Sequence, residues 1–268
     1  MKYLQLIGLS IFALALSPGA RAEPLTDAKE IVARANLASY YNGDDGRSEA
    51  RMAIEDAQGR RQLRQFTILR RDHADGGDQD FMVFFSRPSD VRGTVFLVAK
   101  HVDRDDDRWL YLPGLDLVRR ISAGDKRTSF VGSNFFYEDV SGRHPEADEH
   151  TLVETTAEHY VLESRPKDPG AVEFDRYVTR IDRNTFLPMR TEYYDDRDRV
   201  YRLMEVLAVE EIGGYPTVTR SRMSAPLDGG NTLMEFRYIE YDVGLPADIF
   251  SERYLRSPPV DWLRRSGE

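Results

Sequence analysis

The chain has 268 residues, 37 Lys and Arg against 46 Asp and Glu, a formal net charge of −9 and no cysteine. The missing cysteine excludes disulfides, a thiolate nucleophile, a sulfur-ligated metal and lipid attachment through sulfur. An acidic chain without a basic block argues against nucleic acid as the main partner.

In chain order, Lys2 opens a segment that is apolar from Leu4 to Leu16 apart from Gln5 and Ser10. Pro18 breaks the run, and Ala20-Arg21-Ala22 gives a small-x-small pattern before Glu23. This predicts a secretory signal peptide over 1–22, too short for a membrane anchor, followed by a single domain over 23–268. Thr26 or Asp27 can cap a helix whose stripe is Ile31, Val32, Ala35 and Ala38, with Glu30 three residues past Asp27 and Asn42-Gly43 as the stop. Period-two segments dominate the rest: around 50–54, then 81–85, 94–99, 108–112, 115–121, 159–164, 173–181, 189–194, 200–209, 217–223 and 233–241. Of these, 81–85 and 94–99 are dense in apolar residues, as strands covered on both faces are. Gly, Pro, Asn and Asp clusters separate them at hairpin spacing. The prediction is a mainly β fold, an antiparallel meander of about eleven strands, with further short helical pieces at 133–140 and 246–255. Three short helices cannot fill the inside of so large a curved sheet. It therefore closes into a packed barrel or encloses a cavity, and the aromatic composition fits both.

Motifs for chemistry fail one by one. "HPEADEH" (144–150) offers two histidines, but six apart and behind a proline, and reads as a solvated acidic loop. "DRDDD" (103–107) starts like a calcium loop, yet Arg108 and Gly114 stand at the sixth and twelfth positions, so it reads as a charged hairpin tip. Gly124-Asp125-Lys126-Arg127-Thr128 lacks the second glycine that a phosphate loop needs, and no Gly-x-Ser-x-Gly elbow exists. The expectation is a protein without enzymatic activity, cofactor or metal, a metal-dependent hydrolase being the remote alternative. Arg119 and Arg120 are strand neighbours, so they point to opposite faces. One of them faces the sheet interior or its rim, where it meets a carboxylate or the polar head of a ligand.

Several stretches together resemble the outer-membrane lipoprotein-sorting family of LolA/LolB-like carriers. They are "FFSRPSDVRGTVFLV" (84–98), "DDRWLYLPGLDLVRRISAGDKRTSFVGSNFFYEDV" (106–140), "YVLESRPKD" (160–168), "RIDRNTFLPMRTEYYDDRDRV" (180–200) and "DVGLPADIF" (242–250). Asn134 and Arg180 depart from the family pattern, which has an acidic residue and a tryptophan there. The resemblance implies a curved half-barrel with helices over its concave face and a lipid-binding cavity. It also implies a periplasmic location, only transient membrane contact, and an inner-membrane transporter of the RND/MMPL type as partner. On that reading the chain carries lipid or lipid-modified protein; the alternative is an accessory subunit of the transporter that carries nothing. The expected apolar lining is Met52, Ile54, Val95, Leu97, Trp109, Tyr111, Phe135 and Phe136. Arg119 or Arg120 would serve the head group.

Overall fold

The computed structural model describes residues 23–264, so the expected signal peptide lies outside the described residues. Helix α1 spans Ala28–Tyr40, and Asp27 caps it by accepting a hydrogen bond from the Lys29 amide (2.9 Å). Its Ile31 and Ala35 are buried.

Six strands follow: β1 Asp45–Glu55, β2 Arg61–Asp72, β3 Gln79–Arg87, β4 Val95–Lys100, β5 Asp107–Leu112 and β6 Leu117–Ile121. A connecting segment, 122–147, carries the short helix α2, Tyr137–Ser141. Seven strands complete the sheet: β7 Asp148–Thr155, β8 His159–Pro166, β9 Arg176–Asp182, β10 Pro188–Tyr194, β11 Val200–Ile212, β12 Tyr215–Ser224 and β13 Asn231–Tyr241. Helices α3, Glu252–Arg256, and α4, Val260–Leu263, end the described chain.

All thirteen strands form one antiparallel sheet in the order β6-β5-β4-β3-β2-β1-β13-β12-β11-β10-β9-β8-β7. The chain enters at the middle, meanders to one edge, crosses to the other, and meanders back to pair β13 with β1. The sheet is unclosed, with β6 and β7 as its edges. The predicted curved antiparallel half-barrel is therefore present, with thirteen strands in place of about eleven. The two absent from the sequence reading are β2 and β7. The loop expected over 144–150 is in part β7, which starts at Asp148.

Side-chain alternation splits the N-terminal half into two packed faces. Phe81, Val83, Phe85, Phe96, Val98 and Leu110 point to the concave side, where Phe130 and Tyr137 of the connecting segment cover them. Met82, Phe84, Val95 and Leu97 point the other way, under Leu245, Ile249 and Leu255. The third helical region therefore packs on the outer face, a correction to the expectation that every helix covers the concave one. The cause is local: the Asp45 carboxylate accepts hydrogen bonds from the amides of Val243 (2.7 Å), Gly244 (3.2 Å) and Leu245 (2.6 Å). This turns the chain round the sheet after β13.

The segment 122–147 is a strap across the concave side. Arg127 binds Glu173 (2.7 and 2.8 Å) and Glu138 (2.5 Å), Arg143 binds Asp148 (2.8 and 2.7 Å), and Asp139 pairs with Arg202 on β11. Asn134 donates its amide N–H to the Thr232 hydroxyl (3.0 Å), which donates back to the Asn134 side-chain carbonyl (2.8 Å). That reciprocal pair uses the amide residue that departs from the family pattern.

Candidate functional site

Between the strap, α1 and the concave face lies a cavity of about 500 Å³. Its walls follow from strand register. Across β8, β9, β10 and β11, one row places Ser164, Tyr177, Tyr193 and Arg202 side by side. The next row is Leu162, Thr179, Thr191 and Met204, continued by Met223 on β12. Deeper still come Ile181 and Pro188, then Val206, Ser221 and Met234. The first row is polar and lies under the strap; the others grow apolar, and Phe66, Phe81, Phe130, Phe135 and Phe236 close the far side. α1 contributes Val32, Ala35 and Tyr40. Gly142 of the strap has φ +78°, and a Cβ there would lie 2.5 Å from a Tyr40 ring carbon, so glycine lets the ring seat against the strap.

Charges near the cavity are compensated within the protein. Arg70 donates to the carbonyls of Tyr40, Asn42 (2.5 Å) and Gly43 (2.8 Å), which closes the C-terminal end of α1. Arg143 and Arg202 hold Asp148 and Asp139. Phe136 lies between the guanidinium groups of Arg127 (5.1 Å) and Arg202 (4.1 Å), and Phe174 between Arg127 (5.0 Å) and Arg143 (5.3 Å). The Tyr177 hydroxyl donates to Asp148 (2.7 Å); burial, then the Asp148 charge, pushes this phenol well up. His150 spends both ring nitrogens: one donates to the Pro145 carbonyl (2.9 Å), so the other accepts from Ser164 (2.7 Å). His144 accepts from the Glu146 amide (3.3 Å). No group of three or more His, Asp or Glu among the described residues is placed to hold a metal. Tyr40 and Tyr193 differ from these, because neither phenol oxygen has a hydrogen-bond partner among the described residues. Burial raises the pKa of both, and Asp139 adds to it.

A second cavity of about 320 Å³ flanks α1 along Lys29, Ala33 and Leu37 and shares Val32, Asn36, Pro145 and His150 with the first. Lys100 borders it, donating to Gln79 (3.2 Å) and facing the rings of Tyr40 (5.0 Å) and Tyr41 (5.4 Å).

Of the eight residues expected to line the cavity, Phe135 does so. Met52 and Ile54 face the concave side but are buried in the aromatic cluster beside it. Phe136 is held between arginines. Val95, Leu97, Trp109 and Tyr111 belong to the outer face, under the C-terminal segment, because their strand positions alternate with Phe96 and Leu110. Register answers the arginine question: Arg119 stands opposite Leu110 on the concave side and Arg120 opposite Trp109 on the outer one. Yet β6 is an edge strand, so both are exposed, near Asp125 (3.8 Å) and paired with Asp107 respectively. Neither reaches the cavity. Sequence reasoning missed Tyr40, Tyr193, Met204 and Met223. The signal for the last three lay in the alternation of 189–194, 200–209 and 217–223, whose tyrosine and methionines share one face, whereas Tyr40 ends α1.

A family model described as "Uncharacterized protein" matches residues 77–257. A DUF1329 family protein from Desulfovibrio piger is 31% identical, with a TM-score of 0.78 over 87% of this chain and 100% of that one. The structure of a "putative outer membrane lipoprotein-sorting protein domain" from Vibrio parahaemolyticus is 25% identical, with a TM-score of 0.77 over 85% of this chain and 98% of that one. A LolA superfamily protein from Nitrosomonas europaea, 19% identical, shares the fold, with a TM-score of 0.66 over 85% of this chain and 98% of that one. Comparison with curated proteins gives no match. The chain belongs to the DUF1329 family and has the LolA-like fold of outer-membrane lipoprotein-sorting proteins.

Proposed function

We propose that this protein is a periplasmic carrier that takes lipid, or the acyl chains of a lipid-modified protein, into the cavity beneath the strap and shuttles it between membranes. The observation that carries the reading is the cavity itself, with its floor of Met204, Met223 and Met234 and its aromatic far wall. At about 0.8 kcal/mol per methylene, an acyl chain of about sixteen carbons represents roughly 12 kcal/mol of transfer out of water. A soluble shuttle therefore needs an enclosed apolar space and no covalent chemistry. About 500 Å³ lies within the roughly 300–1,000 Å³ usual for small-ligand cavities. An inner-membrane transporter of the RND/MMPL type is the proposed partner that loads or unloads it. No helix among the described residues is long and apolar enough to cross a membrane.

Native mass spectrometry of protein purified without detergent is expected to show a co-purifying lipid, or uptake of added lipid after stripping. A clean apo mass that no added amphiphile changes would remove the carrier reading and leave the accessory-subunit one.

A further inference from the structure

Resting on the carrier reading, we propose that the ligand is an amphiphile with an uncharged polar end. That end lies inside the cavity beneath the strap, where the Tyr40 and Tyr193 hydroxyls donate hydrogen bonds to its ester, amide or hydroxyl oxygens.

The row Ser164, Tyr177, Tyr193, Arg202 sits under the strap, and the next rows bring in Leu162, Met204, Met223, Val206 and Met234, with phenylalanines beside them. A ligand entering this space meets hydrogen-bonding groups at one end and hydrocarbon at the other. Its tail lies along Met204, Met223 and Phe236, and its polar end lies toward the strap.

The polar end is not an anion. An ionised head group buried here needs a cation with unspent charge, because desolvating a lone carboxylate or phosphate costs far more than a neutral polar group does. The cations that line the cavity are held by the protein: Arg143 makes a two-point contact with Asp148, Arg70 donates to three carbonyls, and Arg47 turns to the outer face, where it pairs with Glu49 (3.0 Å) and donates to the Leu263 carbonyl (2.8 Å). Arg202, beside the lining, holds Asp139 and turns its remaining guanidinium nitrogens to the rings of Phe136 and Tyr193. Asp139, paired with Arg202, lines the cavity as well and gives an incoming anion no attraction.

What the cavity does leave open is neutral. Tyr40 comes from α1 and Tyr193 from β10, and both line this one cavity together with Asp139. Both stay protonated at any physiological pH, since burial raises them, and so both are donors. Tyr177 and His150, by contrast, are satisfied by Asp148, Ser164 and Pro145. A hydroxyl donor without a protein acceptor, facing the cavity, is what a ligand oxygen would satisfy.

The test compares three probes with the same sixteen-carbon chain on delipidated protein: monopalmitoylglycerol, palmitate and palmitoyl lysophosphatidylglycerol. Affinities are read by displacement of a fluorescent fatty probe. Monopalmitoylglycerol is expected to bind at least about tenfold tighter than either anion. The Tyr40→Phe/Tyr193→Phe double variant keeps both rings and loses two neutral hydrogen bonds, so its affinity for monopalmitoylglycerol is expected to fall about tenfold. Its affinity for hexadecane is expected to stay unchanged. Equal or tighter binding of the anions overturns the inference, as does a double variant that binds monopalmitoylglycerol like the parent, and in both cases the carrier reading survives. Failure to take up any of these molecules, hexadecane included, overturns the carrier reading and this inference with it.

Discussion

The two halves of the sheet use the same alternation of side chains for different ends. In β1–β6 both faces are packed: Phe96 and Val98 are buried on one side, Val95 and Leu97 on the other, and Phe85, Phe96, Phe130 and Tyr137 stack at centroid distances between 5.1 and 5.8 Å. In β8–β13 the concave face carries Met204, Val206 and Tyr193, which stay half-exposed because they border a space instead of a neighbour. One half supplies a filled core, and the other leaves part of its inner face bordering the cavity.

This contrast breaks if equal truncations cost the same in both halves. Phe96 is fully buried and packs on Phe130 (5.4 Å) and Tyr137 (5.1 Å), so Phe96→Ala is expected to destabilise by about 3–5 kcal/mol. Met204→Ala enlarges a space that already exists and forfeits contacts on one side only. Its expected cost is about 1 kcal/mol, well below the usual range for a filled core. Urea unfolding of the two variants decides the matter, and a Met204→Ala cost as large as that of Phe96→Ala would mean that the cavity is packed in solution.

The boundary between the halves sharpens the comparison through pH. At the end of α1, burial lowers the Lys100 pKa from 10.5 to about 8 and raises that of Asp72 from 3.8 to about 6. The signs follow from proton binding. Asp72 holds its proton more tightly folded than unfolded, so its contribution to stability is present below about pH 4 and is lost as pH rises through about 6. Lys100 holds its proton less tightly folded, so stability rises between about pH 8 and 10.5, where the unfolded chain still carries the charge. Lys100→Met is expected to remove that alkaline rise in the urea midpoint relative to the parent. An unchanged pH profile would mean that Lys100 is solvated and that the contact between α1, the strap and β2–β5 is looser than described.

How much of this was legible in the sequence also divides along the two halves. The dense runs 81–85 and 94–99 announced strands covered on both faces, and Asp27 announced the start of α1. β2 was hidden because Arg64 and Arg70 occupy concave-face positions opposite Met52 and Gly46, which breaks the apolar alternation. β7 was hidden because it is an edge strand with a mostly polar, exposed sequence. The cavity residues were sought where apolar density is highest, yet density marks filled core, and four of the eight expected residues face the outer helices. The cavity wall sets half-exposed Met204, Val206 and Tyr193 beside buried Thr191, Met223 and Met234, so its composition is more mixed, with Thr, Tyr and Met alternating. The strap's pairs Arg127–Glu173 and Asp139–Arg202 join positions far apart in sequence, and no local pattern encodes such pairs.

The smallest expected effect isolates the cover over the cavity side. The Asp27 carboxylate satisfies the Lys29 amide at the start of α1, whose buried face is only Ile31 and Ala35. Asp27→Ala is therefore expected to cost about 1 kcal/mol, the usual value of a lost N-cap. Because the first turns of α1 pack on β7–β9 and only Tyr40, at its far end, reaches the aromatic core, that loss belongs to local opening of the helix more than to global unfolding. Amide hydrogen exchange in the first turns of α1 is expected to quicken about fivefold to tenfold while β3 and β4 keep their protection. Equal loss of protection in β3 and β4 would mean that α1 and the packed half open as one unit, and that the helix cannot move to admit a ligand without disturbing the core.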